Sequence, residues 1–100
     1  MNRTSFEWDT TKDRQNQEKH GIAFAFAQYA FADPKRVILA DDEHSTEENR
    51  FYCLGQVGER ILTVRFTYRD KVIRIFSAGY WRKGKKLYEK ENNLYKWTHG

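Results

Sequence analysis

Two arginines in the second half of the chain, Arg65 and Arg74, have the spacing that most suggests chemistry. They lie in two β-rich segments, and a two-residue turn at Arg69-Asp70 predicts that they face each other across a β-hairpin. Like charges at such a pair are destabilising, so an anion between the two guanidinium groups would explain them. Phosphate fits guanidinium geometry best, which predicts a surface that acts on nucleic acid. The spacing is equally compatible with solvated arginines, or with arginines bridged by acidic side chains of the preceding loop.

Cleavage of RNA without a metal ion needs a base for the 2′-hydroxyl, cations for the developing charge and an acid for the leaving oxygen. Histidine titrates nearest to neutral pH, and the chain has three, at positions 20, 44 and 99. His44 falls in an acidic loop, where a carboxylate neighbour favours its charged form, and His99 lies in the tail. His20 ends a polar helix beside Lys19, so we predict His20 as the acid–base residue, with Lys19 adding positive potential. Simple capping of the last helix carbonyls by these two residues is the alternative.

Residues 80–86 interleave aromatic rings with cations, a pattern typical of base stacking and backbone attraction. The alternative is a core Trp81 followed by a solvated helix face. This segment supplies most of the predicted RNA-binding residues, and Arg50 and Tyr52, which are predicted to lie on the same sheet face as the two arginines, are added to it. The set is Arg50, Tyr52, Tyr80, Trp81, Arg82, Lys83, Lys85 and Lys86.

The two halves of the chain carry opposite charge. Residues 1–49 hold six Lys or Arg and ten Asp or Glu, whereas residues 50–100 hold twelve and four. This asymmetry predicts a polyanion, or a strongly acidic protein, as a partner of the second half. The acidic run at residues 41–48 could bind a divalent ion. A solvated loop, or an acidic partner for the basic half within the same chain, are the other interpretations.

Several classes of protein are excluded by composition and motifs. One hundred residues predict a single domain, 1–100. The chain has no apolar run that could cross a bilayer and its start lacks a signal peptide, so we expect a cytoplasmic protein without a membrane partner. There is no GxGxxG, P-loop, HExxH or His/Cys metal cluster, so no cofactor or metal is expected. The single cysteine, Cys53, is expected to pack in the core.

The elements that must position these residues follow from caps, turns and periodicity. Phe6 and Trp8 predict a short strand, and Asp9 and Gly21 predict the two ends of a helix over 10–20. That helix has no apolar side chain, so its stability must come from caps, neighbours or a partner. A second helix is predicted over 23–31, a short strand over 37–40 and a last helix over 81–91, with Leu87 and Leu94 on one stripe.

Three further strands are predicted over 50–57, 60–68 and 71–78, with a type II′ turn at Gly58-Glu59. Alternation then places one set of residues on the core face: Phe51, Cys53, Val64, Phe66, Ile73 and Ile75. The opposite face is predicted to carry Arg50, Tyr52, Thr63, Arg65, Thr67 and Arg74. Tyr52, Arg65 and Arg74 are predicted to form one row across it.

An ordered set of motifs over residues 6–89 resembles the BrnT toxin family: Phe6-Glu7-Trp8-Asp9, Asn16, Lys19-His20-Gly21-Ile22, Phe31-Ala32-Asp33-Pro34, Arg50, Gly55, Arg74-Ile75-Phe76-Ser77-Ala78 and Leu87-Tyr88-Glu89. The resemblance implies a RelE-like, microbial-ribonuclease-like α+β fold. In that fold two N-terminal helices pack on an antiparallel sheet of about four strands, with a C-terminal helix. By position, Lys19 and His20 fall in the family's Lys-His-Gly motif, and Ser77 in its Arg-Ile-x-Ser-Ala motif, which adds Ser77 to the predicted RNA-binding residues.

The resemblance also implies a biological role. The family is the toxin half of bacterial type II toxin–antitoxin systems, with endoribonucleases that stop translation. They are neutralised by BrnA, a ribbon-helix-helix antitoxin, and the complex represses its own operon, so operator DNA is reached only through the antitoxin. Many members carry Arg where this chain has Gly79, and Arg82 is a candidate substitute. The alternatives are a non-catalytic module whose basic face binds an acidic antitoxin segment or nucleic acid, and an inactive member that retains only autoregulation.

Overall fold

A computed structural model describes residues 4–93. In chain order the elements are β1 (Ser5–Trp8), α1 (Thr10–His20), α2 (Phe24–Ala27), a 3₁₀ helix (Gln28–Ala32), β2 (Val37–Ala40), a 3₁₀ helix (Asp42–His44), β3 (Arg50–Val57), β4 (Arg60–Arg69), β5 (Val72–Gly79) and α3 (Arg82–Glu91). The predicted residues Leu94 and His99, and the chain start, lie outside the described residues.

The predicted α+β class, with helices at both ends of the chain, is confirmed, but two details are wrong. The sheet has five strands in the order β1-β5-β4-β3-β2, and it is mixed because β1 pairs parallel to β5. The predicted second helix is a four-residue α-helix that continues as the 3₁₀ helix. Parallel pairing of β1 joins residues 5–8 to residues 72–75, a contact that no local sequence pattern signals.

The polar helix α1 is fixed by its hydrogen bonds rather than by apolar contacts. Asp9 caps its start by accepting from the backbone N–H of Lys12, and Gly21 ends it in the left-handed region at φ 71°. Asn16, its buried residue, donates to the carbonyls of Ile22 and Ala78 and accepts from the N–H of Ala78. Asp13 adds a second attachment, because its Oδ1 accepts from the backbone N–H of Phe24 at 2.9 Å. Hydrogen bonds therefore dock a helix without apolar side chains, and the Asn16 amide makes those to β5.

The core lies between the sheet and the N-terminal helices. All six residues predicted for the core face pack there: Cys53, Val64, Phe66, Ile73 and Ile75 are buried, and Phe51 packs against them. The first 3₁₀ helix, Gln28–Ala32, approaches β3 so closely that a Cβ at Gly55 would collide with the backbone of Ala30. The opposite face of the sheet, here called the outer face, is covered at one end by α3, where Gly84 packs on Thr63.

The predicted register of the β4–β5 hairpin is wrong. The turn lies at Asp70-Lys71, both with positive φ (51° and 69°), as a type I′ turn requires. Arg65 consequently faces Ser77, after an irregularity between Arg65 and Phe66, and Arg74 faces Thr67. Moving the turn by one position shifts the pairing of residues 66–69 by two residues, and an even shift leaves the residues named for the two faces on their predicted sides. The irregularity adds one more residue to the shift at Arg65. The faces are therefore correct, whereas the Arg65–Arg74 pair does not exist.

Candidate active site

The part of the outer face that α3 leaves uncovered forms a cleft of about 180 Å³. Its walls come from β3, β4, β5 and the loop after β2, and they consist of Asp41, His44, Arg50, Arg65, Phe76 and Ser77. Strand alternation points Arg50 and Arg65 to the same face, and the register sets Ser77 opposite Arg65. Three predicted residues thus meet in one cleft.

Arg65 is the central cation of the cleft. Its Nη2 donates to the Tyr52 hydroxyl at 2.9 Å and lies 3.7 Å from Oδ2 of Asp41. The Tyr52 and Trp81 rings are each 5.2 Å from the guanidinium carbon, within cation–π range. Its side chain is 31% exposed, and its Nε–H has no acceptor among the described residues. The guanidinium is therefore held in place while part of its donor capacity stays unused.

His44, which sequence reasoning set aside, lies beside Arg65. Its Nδ1 is 3.0 and 2.9 Å from the two carboxylate oxygens of Asp41 and 3.5 Å from Arg65 Nη2. Burial alone would raise the pKa of Asp41, but the hydrogen bond from His44 and the charges of His44 and Arg65 hold that pKa below its usual value. The sequence feature that could have indicated this pair is the three-residue spacing of Asp41 and His44, because a 3₁₀ turn brings residues at that spacing together.

The acidic loop pairs with arginines of the same chain, as one of its predicted interpretations states. Glu48 accepts two hydrogen bonds from Arg69, at 3.1 and 3.2 Å, and lies 3.8 Å from Arg50. Asp41 pairs with Arg65 in the same way. The loop is thus a partner of the basic half within the chain.

Arg74 lies outside the cleft. Its Nη1 donates to Glu7 Oε2 at 2.8 Å, because parallel pairing sets Glu7 of β1 next to Arg74 of β5. The expectation that Arg65 and Arg74 form one row with Tyr52 is therefore wrong. Ser77 takes the place predicted for Arg74 in that row.

His20 and Lys19 end α1 and are exposed, and neither lines the cleft. A Cβ built at Gly79 would lie 3.9 Å from His20 Nδ1 and 3.3 Å from Trp81 Nε1, so the His20 ring is near the segment that leads into α3. Lys12 of the same helix was missed by sequence reasoning. Its ammonium lies 5.2 Å from the centre of the Phe76 ring, and the Arg50 guanidinium carbon lies 4.3 Å from the same centre.

The residues of the predicted aromatic and basic segment lie in several different surroundings. Trp81, 38% exposed, contacts Tyr52 and Arg65 at the cleft. With Lys83, it also lines an apolar cavity of about 250 Å³ between α3 and the outer face. Tyr80 packs against the core under Arg60, while Arg82 and Lys85 border a separate hollow and Lys86 is exposed on α3. Only Trp81 joins this segment to the cleft.

The described residues contain neither a candidate membrane span nor a candidate metal site, and their single cysteine is buried. Within residues 4–93 no helix is both long and apolar enough to cross a membrane, and no three His, Cys, Asp or Glu side chains are grouped to hold a metal ion. Cys53 is buried as predicted, and burial raises the pKa of its thiol to about 12. The thiol is therefore protonated at neutral pH.

A search of curated proteins found no match for this chain. A family model described as "Ribonuclease toxin, BrnT, of type II toxin-antitoxin system" matches residues 8–84. The matched span includes every wall of the cleft, and it confirms the resemblance identified from the motifs. Because the match covers more than half of its length, the chain belongs to the BrnT family of ribonuclease toxins of type II toxin–antitoxin systems.

Proposed function

We propose that this protein is a metal-independent endoribonuclease and that the cleft around Arg65 holds the scissile phosphate of the RNA. The observation that carries the proposal is the position of Arg65, central in an open cleft with Arg50 on one side and the Ser77 position opposite. Two guanidinium groups in fixed positions stabilise the charge that develops on a phosphate during cleavage. Trp81, beside Arg65, offers an aromatic face for a neighbouring base.

The ion pair that Arg65 already makes does not exclude phosphate. At 3.7 Å, the contact between Arg65 Nη2 and Asp41 is longer than a charge-assisted hydrogen bond, and the guanidinium is partly exposed. Such a pair contributes little free energy, so a phosphate that makes closer, bidentate contacts can add to it or replace it. Asp41 then serves to orient Arg65 before RNA arrives.

The roles predicted for the other residues stay predictions. His20 stands near Trp81 rather than in the cleft, Lys19 is exposed at the end of α1, and Arg74 reaches the phosphate only if it leaves Glu7. The exposed cations on or beside α3 are suited to attract the RNA backbone outside the cleft: Arg82, Lys83, Lys85 and Lys86.

Membership of a type II toxin family implies an RNA substrate and an antitoxin partner. We propose that the antitoxin is of the ribbon-helix-helix class and that it neutralises the toxin by setting acidic side chains on the cleft. Asp41 and Glu48 already place carboxylates against Arg65 and Arg50, so this surface accepts carboxylates. The same observation favours the second candidate, a non-catalytic module that binds an acidic segment or nucleic acid.

Cleavage of single-stranded RNA in EDTA by the wild type and by two arginine variants tests the proposal. Arg65→Ala should lower the cleavage rate about 100-fold or more, by analogy with loss of one transition-state donor. Arg60→Ala removes the same charge from β4 at a residue stacked on Tyr80, outside the cleft, and should cleave as the wild type does. Equal rates for both variants would contradict the site. Salt-sensitive RNA binding by a wild type that cleaves nothing would favour the binding module.

A further inference from the structure

We propose that His44, oriented by Asp41, is the general base of RNA cleavage in this protein. The inference rests on the proposed function, because it takes the RNA phosphate to lie at Arg65. It assigns the acid–base role to a residue of the cleft itself, in place of His20.

The geometry leaves one nitrogen of His44 available for proton transfer. Its Nδ1 lies 2.9 and 3.0 Å from the two oxygens of Asp41, and an ionised carboxylate only accepts hydrogen bonds. Nδ1 therefore carries a hydrogen that it donates to Asp41, and in the neutral ring Nε2 has a free lone pair. The His44 side chain is 45% exposed and lines the cleft, so Nε2 belongs to a ring that substrate can reach.

Asp41 is the positioning residue of this pair. Its side chain is only 6% exposed, and the same carboxylate faces both His44 and Arg65. A buried carboxylate of this kind fixes the tautomer of a histidine and stabilises the imidazolium that forms when the histidine takes a proton. Asp41 thereby ties the proposed base to the proposed phosphate-binding cation.

The loop that carries the pair is fixed by its own hydrogen bonds. Ser45 Oγ donates to the Asp41 carbonyl at 2.7 Å and accepts from the Arg50 N–H at 2.9 Å, and the Asp41 N–H donates to the Arg50 carbonyl at 2.8 Å. These bonds tie Asp41 to the first residue of β3. A base held within fractions of an ångström is what general-base catalysis requires.

The reaction follows from these positions. His44 Nε2 takes the proton of a ribose 2′-hydroxyl, and the 2′-oxygen forms a bond to the phosphorus held at Arg65. The bond from phosphorus to the 5′-oxygen breaks, and that oxygen receives a proton from water. The products are a 2′,3′-cyclic phosphate and a 5′-hydroxyl end, and the imidazolium returns its proton to solvent. No oxidant or metal ion enters this sequence of steps.

Three substitutions in the loop separate the base from its surroundings. His44→Gln keeps a donor for Asp41 but cannot take a proton, and it changes a half-exposed side chain, so the fold should persist. Asp41→Asn removes the carboxylate that orients His44. Glu43→Gln alters an exposed neighbour in the same loop and serves as the control.

The experiment measures single-turnover cleavage of a single-stranded RNA in EDTA, RNA affinity, and the ends of the products. We expect 2′,3′-cyclic phosphate ends, a loss of about 100-fold or more in the cleavage rate of His44→Gln, and RNA affinity within about twofold of the wild type. Asp41→Asn should lose about 10-fold or more. Added imidazole should restore cleavage to His44→Ala but not to Arg65→Ala, and Glu43→Gln should match the wild type.

The outcomes separate this inference from the proposed function. If Arg65→Ala is inactive while His44→Gln cleaves within a few-fold of the wild type, the cleft is the site and His44 is not its base. Loss of activity in His20→Gln alone would assign the base to His20 and overturn the inference. A wild type that does not cleave RNA overturns both proposals.

Discussion

Asn16 makes the buried hydrogen bonds that dock α1 on β5, and its removal should destabilise the protein far more than removal of the exposed side chains beside it. In Asn16→Ala the buried N–H of Ala78 and the buried carbonyls of Ile22 and Ala78 all lose their side-chain partner. Leaving a buried polar group unsatisfied costs roughly 1–3 kcal/mol each. The greater helix propensity of alanine offsets about 0.6 kcal/mol. At the low end of this range, about 1 kcal/mol for each of the three groups, the net loss in the free energy of unfolding is about 2–3 kcal/mol, and we expect at least that much.

That loss is a large part of the total stability of a domain of this size, which is about 5–15 kcal/mol. The midpoint of thermal unfolding should fall by roughly 10–20 °C, as followed by circular dichroism. Asn16→Asp should be at least as harmful, because it replaces the donor amide with an oxygen that faces the carbonyls of Ile22 and Ala78. Hydrogen exchange at the Ala78 N–H should also accelerate in both variants.

The exposed neighbours Gln15 and Gln17 supply matched controls on the same helix. Gln15→Ala and Gln17→Ala should change the free energy of unfolding by less than about 0.5 kcal/mol, as surface substitutions usually do. If Asn16→Ala falls in the same range as these controls, then α1 is held by something other than this amide.

Two further predictions concern α3 and the response to acid. Gly84→Ala should lower the free energy of unfolding in urea by about 1–3 kcal/mol, because the new Cβ would collide with Thr63 Oγ1. Adding Thr63→Ala should recover most of this loss. No recovery in the double variant would contradict close packing of Gly84 on Thr63. The pKa of Asp33 is held below its usual value: burial opposes this, but hydrogen bonds from Tyr88, Gln56 and Lys35 outweigh it. The stabilisation is therefore present above the unfolded-state pKa of about 3.9 and is lost as pH falls through the folded-state value. Unfolding free energies at pH 7 and 3 should differ less in Asp33→Asn than in the wild type, and equal differences would refute this.

Local chemistry was sufficient for most of the elements. Asp9 and Gly21 mark the ends of α1 because a capping side chain and a left-handed residue act within one turn of the chain. The core face of the sheet was predictable because alternation depends only on neighbouring residues, so a wrong turn position in the β4–β5 hairpin left it intact. The motifs were sufficient to predict the family, and the family model matches residues 8–84.

The candidate site could be predicted only in part, because it depends on register. Arg65 and Tyr52 were placed together correctly, since the Gly58-Glu59 turn has the expected geometry. Arg74 was placed wrongly because the Asp70-Lys71 turn and the irregularity after Arg65 shift β5 along β4. Its actual partner, Glu7, is 67 residues away in the chain, and only the parallel pairing of β1 brings the two together.

The sequence by itself determined the charge of the basic face, the elements that carry it and the family of ribonuclease toxins to which the chain belongs. The tertiary structure decided which charged groups meet: Arg65 with His44 and Asp41 in the cleft, and Arg74 with Glu7 outside it. The physical reason is that caps and alternation act over a few residues. An active-site distance, in contrast, depends on long-range strand pairing, which a change of one turn position shifts by two residues.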